Sequence, residues 1–359
     1  MTSLVRMIEF AKTFGIVTLC AGFLMSCATV ENFVTGPEDD TAIRNAQTLG
    51  ATKHRIFVAT TRARSNDPSE VFSGLRSKIM TLGYLDVTVP PEHETGRIEK
   101  LKPGQKANPR EHFLVSQPTL LTSTTSFQGN LNGALGLLPE SDKNILVFVH
   151  GYNTSFGGAV LRLTQFVHDT GYKGIPILFS WASLGKPHGY VYDLNSALQS
   201  RDQLEALAHI LRDTDTNQFD ILAHSMGNLV TIEAMRNLVR IPDPDAESRL
   251  RNVILAHPDV DFDLFEAQFK SFHDKLKEQF TVLVSTDDRA LGLSRRIAGG
   301  ISRAGAAKPK RLEELGLNVI DLSEVDEKSS TNHTKFAAAP EIVRLIGRGF
   351  RSSTALSEQ

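Results

Sequence analysis

The sequence predicts an α/β fold with a mostly parallel central sheet and helices on both faces. From Asn144 onward, short apolar runs alternate with longer segments of helical periodicity. The runs are continuously apolar rather than alternating, which is typical of parallel strands buried on both faces, and each gap leaves room for a crossover helix. With 359 residues, of which 41% are hydrophobic, the chain can bury one large core.

The first residues predict a targeting signal, residues 1–26, rather than a part of the fold. Phe14 to Met25 is an apolar run without a charge, and it is shorter than the roughly 20 residues that span a bilayer. It ends in Leu24-Met25-Ser26-Cys27, which resembles a bacterial lipobox despite the bulky Met25. The resemblance implies that Cys27 is lipidated and becomes the mature N-terminus; an uncleaved anchor and ordinary secretion are the alternatives. Since Ala28 is not acidic, the resemblance further implies a bacterial cell envelope protein held by lipid in the outer membrane, facing the periplasm.

The rest of the chain is predicted to form one domain over residues 52–348. Residues 27–51 mix polar residues, Gly and Pro without a sustained period, as a tether does, and residues 349–359 are predicted to be a frayed tail. The only two cysteines, Cys20 and Cys27, precede the domain, so no disulfide can stabilise it. The net charge of −2, without a basic stripe, excludes nucleic acid as an expected partner.

Strands are predicted first at Arg55 to Thr61 and at Leu82 to Val89, and the start of a third is predicted at His112 to Val115. The buried parallel strands are predicted at residues 145–149, 177–179, 219–223, 252–256, 280–284 and 318–322. Crossover helices are predicted at Gly158 to Val167, Ser196 to Leu211 and Met226 to Val239, and the last has one apolar stripe.

The strongest functional motif is Ala223-His224-Ser225-Met226-Gly227, between a predicted strand and a helix. It resembles the G-x-S-x-G nucleophile elbow of α/β-hydrolases, in which a strained turn requires small residues on either side of the serine. Gly227 satisfies this requirement, and Ala223 adds one methyl group. The resemblance implies that Ser225 is the nucleophile and that the Met226 N–H, at the helix start, is an oxyanion donor. A plain helix N-cap is the alternative role for Ser225.

A second motif, His150-Gly151-Tyr152-Asn153, follows the predicted strand 145–149. It resembles the oxyanion loop of the same superfamily, since a glycine there lets a backbone N–H point at the developing negative charge. The resemblance implies that the loop residues His150 and Gly151 precede the donor, the N–H of Tyr152. Alone, the motif could be an ordinary turn; together, the two motifs predict an α/β-hydrolase fold.

A serine nucleophile needs a histidine base, and the base needs a carboxylate to orient it. The superfamily order of Ser, acid and His favours His333, in a polar loop after the final strand. His257 lies too early, and His273 is expected on the surface. For the acid, Asp288 follows strand 280–284 in a D-x-A-L run, which resembles a bacterial group of uncharacterised esterase/lipase-like hydrolases. The alternatives are Asp287 and the pair Asp259 and Asp261.

The resemblance covers Ile145 to about Phe336 and implies a serine hydrolase that cleaves a small-molecule or lipid carboxylic ester through an acyl-enzyme. Thioester, amide and acyl-transfer chemistry use the same residues. Trp181, Tyr190 and Tyr192 either line a substrate pocket or pack over the sheet. Without nucleotide or H-E-x-x-H motifs, no cofactor or metal is expected. The main alternative is a non-catalytic cell-envelope protein that keeps the hydrolase fold as a binding or scaffolding module.

Overall fold

A ten-stranded sheet forms the centre of the molecule. The computed structural model describes residues 41–351, except 68–69, 102–104, 242 and 327–330. The predicted signal segment and Cys27 lie outside the described residues. The strands are β1 (Thr52–Arg64), β2 (Phe72–Val89), β3 (Leu114–Val115), β4 (Thr119–Leu121), β5 (Asn144–Val149), β6 (Ile175–Ser180), β7 (Gln218–His224), β8 (Leu250–Ala256), β9 (Phe280–Val284) and β10 (Asn318–Asp321).

The sheet is mixed but mostly parallel, as the sequence predicts. Its strand order is β10-β9-β8-β7-β5-β6-β1-β2-β3, with β4 also paired to β2. The strands from β10 to β1 in this order are all parallel. On the other side of β1, strand β2 is antiparallel to β1, β3 and β4. Because the parallel strands end at one edge, the loops that follow β5, β7, β8 and β9 meet there.

Helices cover both faces of the sheet. They are α1 (Thr41–Thr48), α2 (Thr124–Leu135), α3 (Phe156–Thr170), α4 (Tyr190–Arg212), α5 (Gly227–Leu238), α6 (Pro244–Arg249), α7 (Phe262–Phe269), α8 (Asp274–Lys277), α9 (Arg289–Ile297), α10 (Pro309–Glu313), α11 (Lys335–Ala338) and α12 (Pro340–Arg351). Short 3₁₀ turns lie at Glu140–Asp142 and Ala304–Ala306. Apolar residues of α2, α4, α5 and α7 share one core cluster, and those of α3, α11 and α12 share another.

Strand β5 shows why its apolar run is continuous. Ile145, Val147 and Val149 face the first core cluster, while Leu146 and Phe148 face the second. Successive side chains of a strand point to opposite faces, so a strand between two helical layers needs apolar residues at every position. The six predicted parallel strands are therefore confirmed, with bounds that differ by at most two residues. Burial is confirmed except at the edge strand β10, whose residues are half-buried or exposed.

The described structure extends beyond the predicted bounds of the domain at both ends. Helix α1 lies within the expected tether, and its Ile43 and Ala46 are buried, so described structure starts at Thr41 and not at residue 52. At the other end α12 continues to Arg351. Phe350 is buried, with its ring centroid 6.2 Å from that of Phe166 and 5.1 Å from that of Tyr172. Burial of these apolar side chains holds both segments on the domain.

Within the part of the chain that the structure describes, no helix combines the length and apolarity needed to cross a membrane.

Candidate active site

Ser225 lies on a strained turn between β7 and α5. Its φ is 53°, a left-handed conformation that a residue with a Cβ rarely adopts. A Cβ at Gly227 would lie 2.4 Å from the backbone oxygen of His150 and 2.5 Å from that of Val149. A side chain there would push β5 and the turn apart, whereas Ala223, buried inside the sheet, is accommodated. The elbow geometry expected from the sequence is present.

The loop after β5 packs directly against the serine. A Cβ at Gly151 would lie 2.7 Å from the Cβ of Ser225, so this close approach requires glycine. Tyr152 follows at once, and its hydroxyl donates a hydrogen bond to the backbone oxygen of Pro187. Met226 is the N-cap residue of α5. The two residues expected to supply oxyanion donors therefore lie on the two backbone segments that flank Ser225.

A buried arginine, not anticipated from the sequence, supports this loop from behind. Arg62, near the end of β1, is 1% exposed. Its Nη2 donates to the backbone oxygen of Thr154 at 2.6 Å, and its Nη1 donates to that of Ser183 at 2.8 Å. Its Nε donates to Ser180 Oγ at 2.8 Å. Burial lowers the pKa of Arg62 to about 10, so the guanidinium remains charged at neutral pH.

The His150 ring is neutral and part of the same network. Burial, together with the charge of Arg62, lowers its pKa to about 3. Nδ1 lies 2.9 Å from the backbone oxygen of Gly151. Nε2 lies 3.1 Å from the backbone oxygen of Trp181 and 3.2 Å from Arg62 Nη2. The ring stacks on Trp181 with centroids 5.0 Å apart, so His150 orients the loop and does not act as a base.

Asp193 holds the other end of the loop. Its Oδ2 accepts hydrogen bonds from the N–H of Asn153 at 3.1 Å and from Ser183 Oγ at 2.6 Å. Its Oδ1 accepts from the N–H of Leu184 at 2.7 Å. Burial raises the pKa of Asp193, while these hydrogen bonds and the charge of Arg62 oppose the rise. Two buried groups of opposite charge thus hold successive residues of the oxyanion loop.

The structure brings Asp288 and His333 together. The Nδ1–H of His333 donates to Asp288 Oδ2 at 2.7 Å, and Asp288 Oδ1 accepts from the N–H of Leu291 at 3.0 Å, which caps α9. Burial alone would raise the pKa of Asp288. The charge of His333 and the hydrogen bonds from His257 and His333 outweigh it, and hold that pKa well below its usual range. Asp288 is therefore a carboxylate at neutral pH.

The other candidate acids have different partners. Asp287 accepts hydrogen bonds from Lys335 Nζ at 2.7 and 2.9 Å and from Asn332 Nδ2 at 2.8 Å. Asp261 caps α7 by accepting from the N–H groups of Asp263 and Leu264. Asp287 therefore pairs with a buried lysine, and Asp261 caps a helix.

Asp259 belongs to a buried network beside the serine. Its backbone N–H donates to the backbone oxygen of Ser225 at 3.2 Å. Its side chain accepts from Ser294 Oγ and from the hydroxyl of Tyr190, and Arg303 Nε lies 3.3 Å from Oδ1. Burial raises the pKa of Asp259. Of the candidate acids, Asp288 is the one in ion-pair contact with histidine nitrogens.

Two further histidines complete the surroundings of His333, and sequence reasoning missed both. His257, buried after β8, places Nδ1 3.1 Å from the same Asp288 Oδ2. His224, inside the elbow motif, donates from Nε2 to the backbone oxygen of His333 at 2.9 Å. Burial, with the charges of His333 and His257, keeps the pKa of His224 well below its usual value. His273, by contrast, caps α8 at the surface beside Glu247.

Backbone strain is concentrated at this site. Among the described residues, the non-glycine residues with positive φ are Asn153, Ser225, His257 and Asn332, at 53°, 53°, 46° and 54°. They lie in the oxyanion loop, the elbow, the loop after β8 and the residue before His333. Strained conformations persist where surrounding contacts enforce them, and they cluster at functional sites. Their shared location marks this edge of the sheet as the functional edge.

The three aromatic residues singled out in the sequence have different surroundings in the structure. Trp181 is buried, and its Nε1 donates to the backbone oxygen of His150 at 2.7 Å, so it belongs to the loop support. The Tyr190 ring packs edge-on to that of Tyr152, with centroids 5.3 Å apart, beside the site. Tyr192 donates from its hydroxyl to the backbone oxygen of Gly74, and its ring lies against the Arg76 guanidinium.

The mostly parallel sheet, the elbow and the adjoining loop define the class of α/β-hydrolases. The chain belongs to the family described as alpha/beta hydrolase of unknown function (DUF900), whose model matches residues 123–349. No significant match was found among curated proteins. Among solved structures the chain is similar to the crystal structure of carboxylesterase CesB (YbfK) from Bacillus subtilis, with 8% identity and a TM-score of 0.35 over 87% of this chain and 96% of that chain.

Proposed function

We propose that the protein is a serine hydrolase that cleaves a carboxylic ester through an acyl-enzyme, with Ser225 as nucleophile, His333 as base and Asp288 as the residue that orients the base. The observation behind this proposal is the 2.7 Å contact between Asp288 and His333, whose loop is held to the elbow by the hydrogen bond from His224. A paired imidazole beside a strained serine is the arrangement that activates a weak hydroxyl nucleophile.

In the proposed mechanism, Ser225 Oγ forms a bond to the carbonyl carbon of the ester while its proton moves to His333 Nε2. Asp288 holds Nδ1–H and thereby leaves Nε2 to accept that proton, and its negative charge stabilises the imidazolium. The backbone N–H groups of Tyr152 and Met226 stabilise the oxyanion. The tetrahedral intermediate then breaks the ester bond, and the alcohol leaves with the proton from His333.

The second half of the reaction repeats the same steps with water. His333 accepts a proton from water as its oxygen bonds to the acyl carbon, and it returns that proton to Ser225 Oγ when the acid leaves. Arg62 and Asp193 touch neither nucleophile nor base, and act by holding the oxyanion loop.

Labelling with a fluorophosphonate probe tests whether Ser225 is an activated nucleophile. We expect the native protein to be labelled, Ser225→Ala to lose the label, and Ser141→Ala, which removes an exposed serine in a 3₁₀ turn, to keep it. Absence of labelling in the folded native protein would contradict the enzyme proposal and favour a binding or scaffolding role on the same fold.

The substrate class is proposed to be a small-molecule or lipid carboxylic ester. A panel of p-nitrophenyl esters of increasing acyl length, with matched thioesters and anilides, measures kcat/KM for each bond type. We expect esters to be cleaved fastest. Faster cleavage of the thioester or amide at equal acyl length would correct the proposed bond while leaving the nucleophile in place.

We further propose that the mature chain is attached to the bacterial outer membrane by lipid on Cys27. Metabolic labelling with a clickable palmitate in cells that express the full chain provides the test. Label is expected on the native protein and on Cys20→Ser, and not on Cys27→Ser. Cys20 is a matched control because it is the only other cysteine. Label that persists in Cys27→Ser would refute lipidation at this residue.

A further inference from the structure

Three histidines and two carboxylates meet at the edge of the sheet opposite to Ser225. We call this group the histidine cluster; it comprises His54, His93, Glu99, His168 and Asp169. His54 lies near the start of β1, and His168 and Asp169 lie in the last turn of α3. His93 and Glu99 lie in the loop that follows β2. Since Ser225 follows the carboxyl end of a parallel strand, this cluster is separate from the proposed active site.

Within the cluster, His93, His168 and Asp169 have the geometry of metal ligands. One nitrogen of each histidine and one oxygen of Asp169 all lie within 4.8 Å of one another. The side chains of His93 and Asp169 are only 5% and 1% exposed. A cation bound here would replace the direct contact of 2.7 Å between His93 Nε2 and Asp169 Oδ1.

The remaining polar atoms of these residues are held by neighbours. His93 Nδ1 lies 2.8 Å from Glu99 Oε2, which fixes the ring orientation. Asp169 Oδ2 accepts from the N–H of Gly96 at 2.7 Å and from Gln165 Nε2 at 2.6 Å. Ligating histidines and carboxylates are usually oriented in this way by a second group, which raises metal affinity. These hydrogen bonds leave His93 Nε2 and Asp169 Oδ1 facing each other, as the two atoms between which a cation would bind.

His54 adds a third nitrogen at the same place. Its Nε2 lies 3.1 Å from Nδ1 of His168, and the two rings pack edge-on with centroids 5.4 Å apart. The His93 and His168 rings are also edge-on, with centroids 5.3 Å apart. When His168 donates its Nδ1–H to His54 Nε2 in this contact, Nε2 of His168 keeps its lone pair for a cation.

We propose that the histidine cluster binds one Zn²⁺ through His93, His168 and Asp169, with His54 beside His168. Imidazole nitrogens combined with one carboxylate oxygen are a zinc donor set, whereas Ca²⁺ and Mg²⁺ require mostly oxygen ligands. The site joins β1, the loop after β2 and the end of α3, which are distant in sequence. The proposed function of the bound ion is therefore to stabilise this edge of the domain and not to take part in hydrolysis.

Zinc titration of the full-length protein, after treatment with EDTA and desalting, tests the site. We expect one Zn²⁺ per chain, and a rise in Tm of about 5 °C when free zinc is a hundred times Kd. Co²⁺ in its place is expected to give visible absorption of tetrahedral intensity. The absence of stoichiometric zinc binding would overturn the proposal.

Variants locate the bound ion. His93→Gln and His168→Gln are expected to lose stoichiometric zinc binding, while His209→Gln, at a half-exposed helical histidine, keeps it. Glu99→Gln leaves the three ligands intact, so it keeps the fold and weakens zinc binding by about tenfold or more. This variant tests the site even if the ligand variants do not fold.

The proposed active site contains another group with metal-ligand spacing, His257, Asp288 and His333. His333→Gln is expected to leave zinc stoichiometry unchanged. Zinc binding that is lost in His333→Gln, or that persists unchanged in His93→Gln and Glu99→Gln, would refute the histidine cluster as the site.

Discussion

Replacing each of two adjacent aspartates by asparagine is expected to separate activity from stability. Asp288 contacts His333 Nδ1 at 2.7 Å, and Asp287 contacts Lys335 Nζ at 2.7 Å. Asp288→Asn removes the negative charge behind the proposed base and allows the wrong ring nitrogen to carry the proton. Asp287→Asn removes the counter-ion of a lysine that is fully buried. The two substitutions make the same chemical change at adjacent positions, so each variant is a control for the other.

The magnitudes follow from these partners. Asp288→Asn is expected to lower kcat by roughly 10⁴-fold, which is about 5 kcal/mol of transition-state stabilisation. Its Oδ1 can still cap α9, because asparagine is a good N-cap, so the change in unfolding free energy is small. Removing one partner of a fully buried ion pair costs about 3–5 kcal/mol, but the Asp287 side chain is 39% exposed, so about 2 kcal/mol is expected for Asp287→Asn.

The assay is hydrolysis of a p-nitrophenyl ester, followed by absorbance, alongside urea unfolding of the same samples. We expect Asp288→Asn to be nearly inactive and stably folded, and Asp287→Asn to be active and less stable. The reasoning is refuted if Asp288→Asn keeps more than about a tenth of native kcat, a loss far smaller than an orienting carboxylate supplies. It is also refuted if Asp287→Asn loses activity to the same extent while folded.

Three other predictions concern the supports of the site. Gly227→Ala is expected to lower Tm and activity sharply, because its Cβ would lie 2.4 Å from a backbone oxygen. The control Gly292→Ala has nothing within 4 Å of its Cβ and should stabilise α9 by about 0.5–1 kcal/mol. Equal shifts in Tm for the two variants would contradict the packing argument. Arg62→Lys keeps the charge but not the planar set of donors, so kcat should fall by about tenfold to a hundredfold with KM unchanged. An unaltered kcat would exclude a role of Arg62 in positioning the oxyanion loop. The pKa of His150 is lowered from 6.5 to about 3, so the unfolded chain binds a proton that the folded chain does not. Unfolding free energy should therefore fall as pH falls below 6.5, by about 3 kcal/mol for this residue at about pH 4.5, and urea titrations should show a weaker pH dependence in folded His150→Asn.

The parallel strands and the proposed catalytic residues could be predicted because their signals are local. A strand buried on both faces needs a continuous apolar run, and an elbow needs a serine and small neighbours at fixed spacing. Asp288 and His333 each follow a predicted strand, and the order of these strands along the chain is visible in the sequence. The bounds of β2 were less accessible: it begins at Phe72, ten residues before the predicted start, because its outer half is exposed and polar.

The supporting residues could not be predicted, because their partners are distant in sequence. Arg62 is one of many arginines, and only the packing of β1 beside β6 places it under the oxyanion loop. The position of His257 after β8 disfavours it as the base on chain order, and the same position places it against Asp288. Helix α1 could not be predicted within the expected tether, because its two buried apolar residues, Ile43 and Ala46, are too few to give a periodic pattern.

The proposed acid and base lie on either side of the edge strand β10, and their loops are joined by a hydrogen bond from the N–H of Arg289 to the backbone oxygen of Thr331 at 3.0 Å. During translation the oxyanion loop and the serine emerge before residue 333. A ribosome-bound chain can therefore form the elbow while it still lacks the proposed base. Under the proposed function, hydrolytic activity should appear only after residue 333 has been made and β10 has joined the sheet.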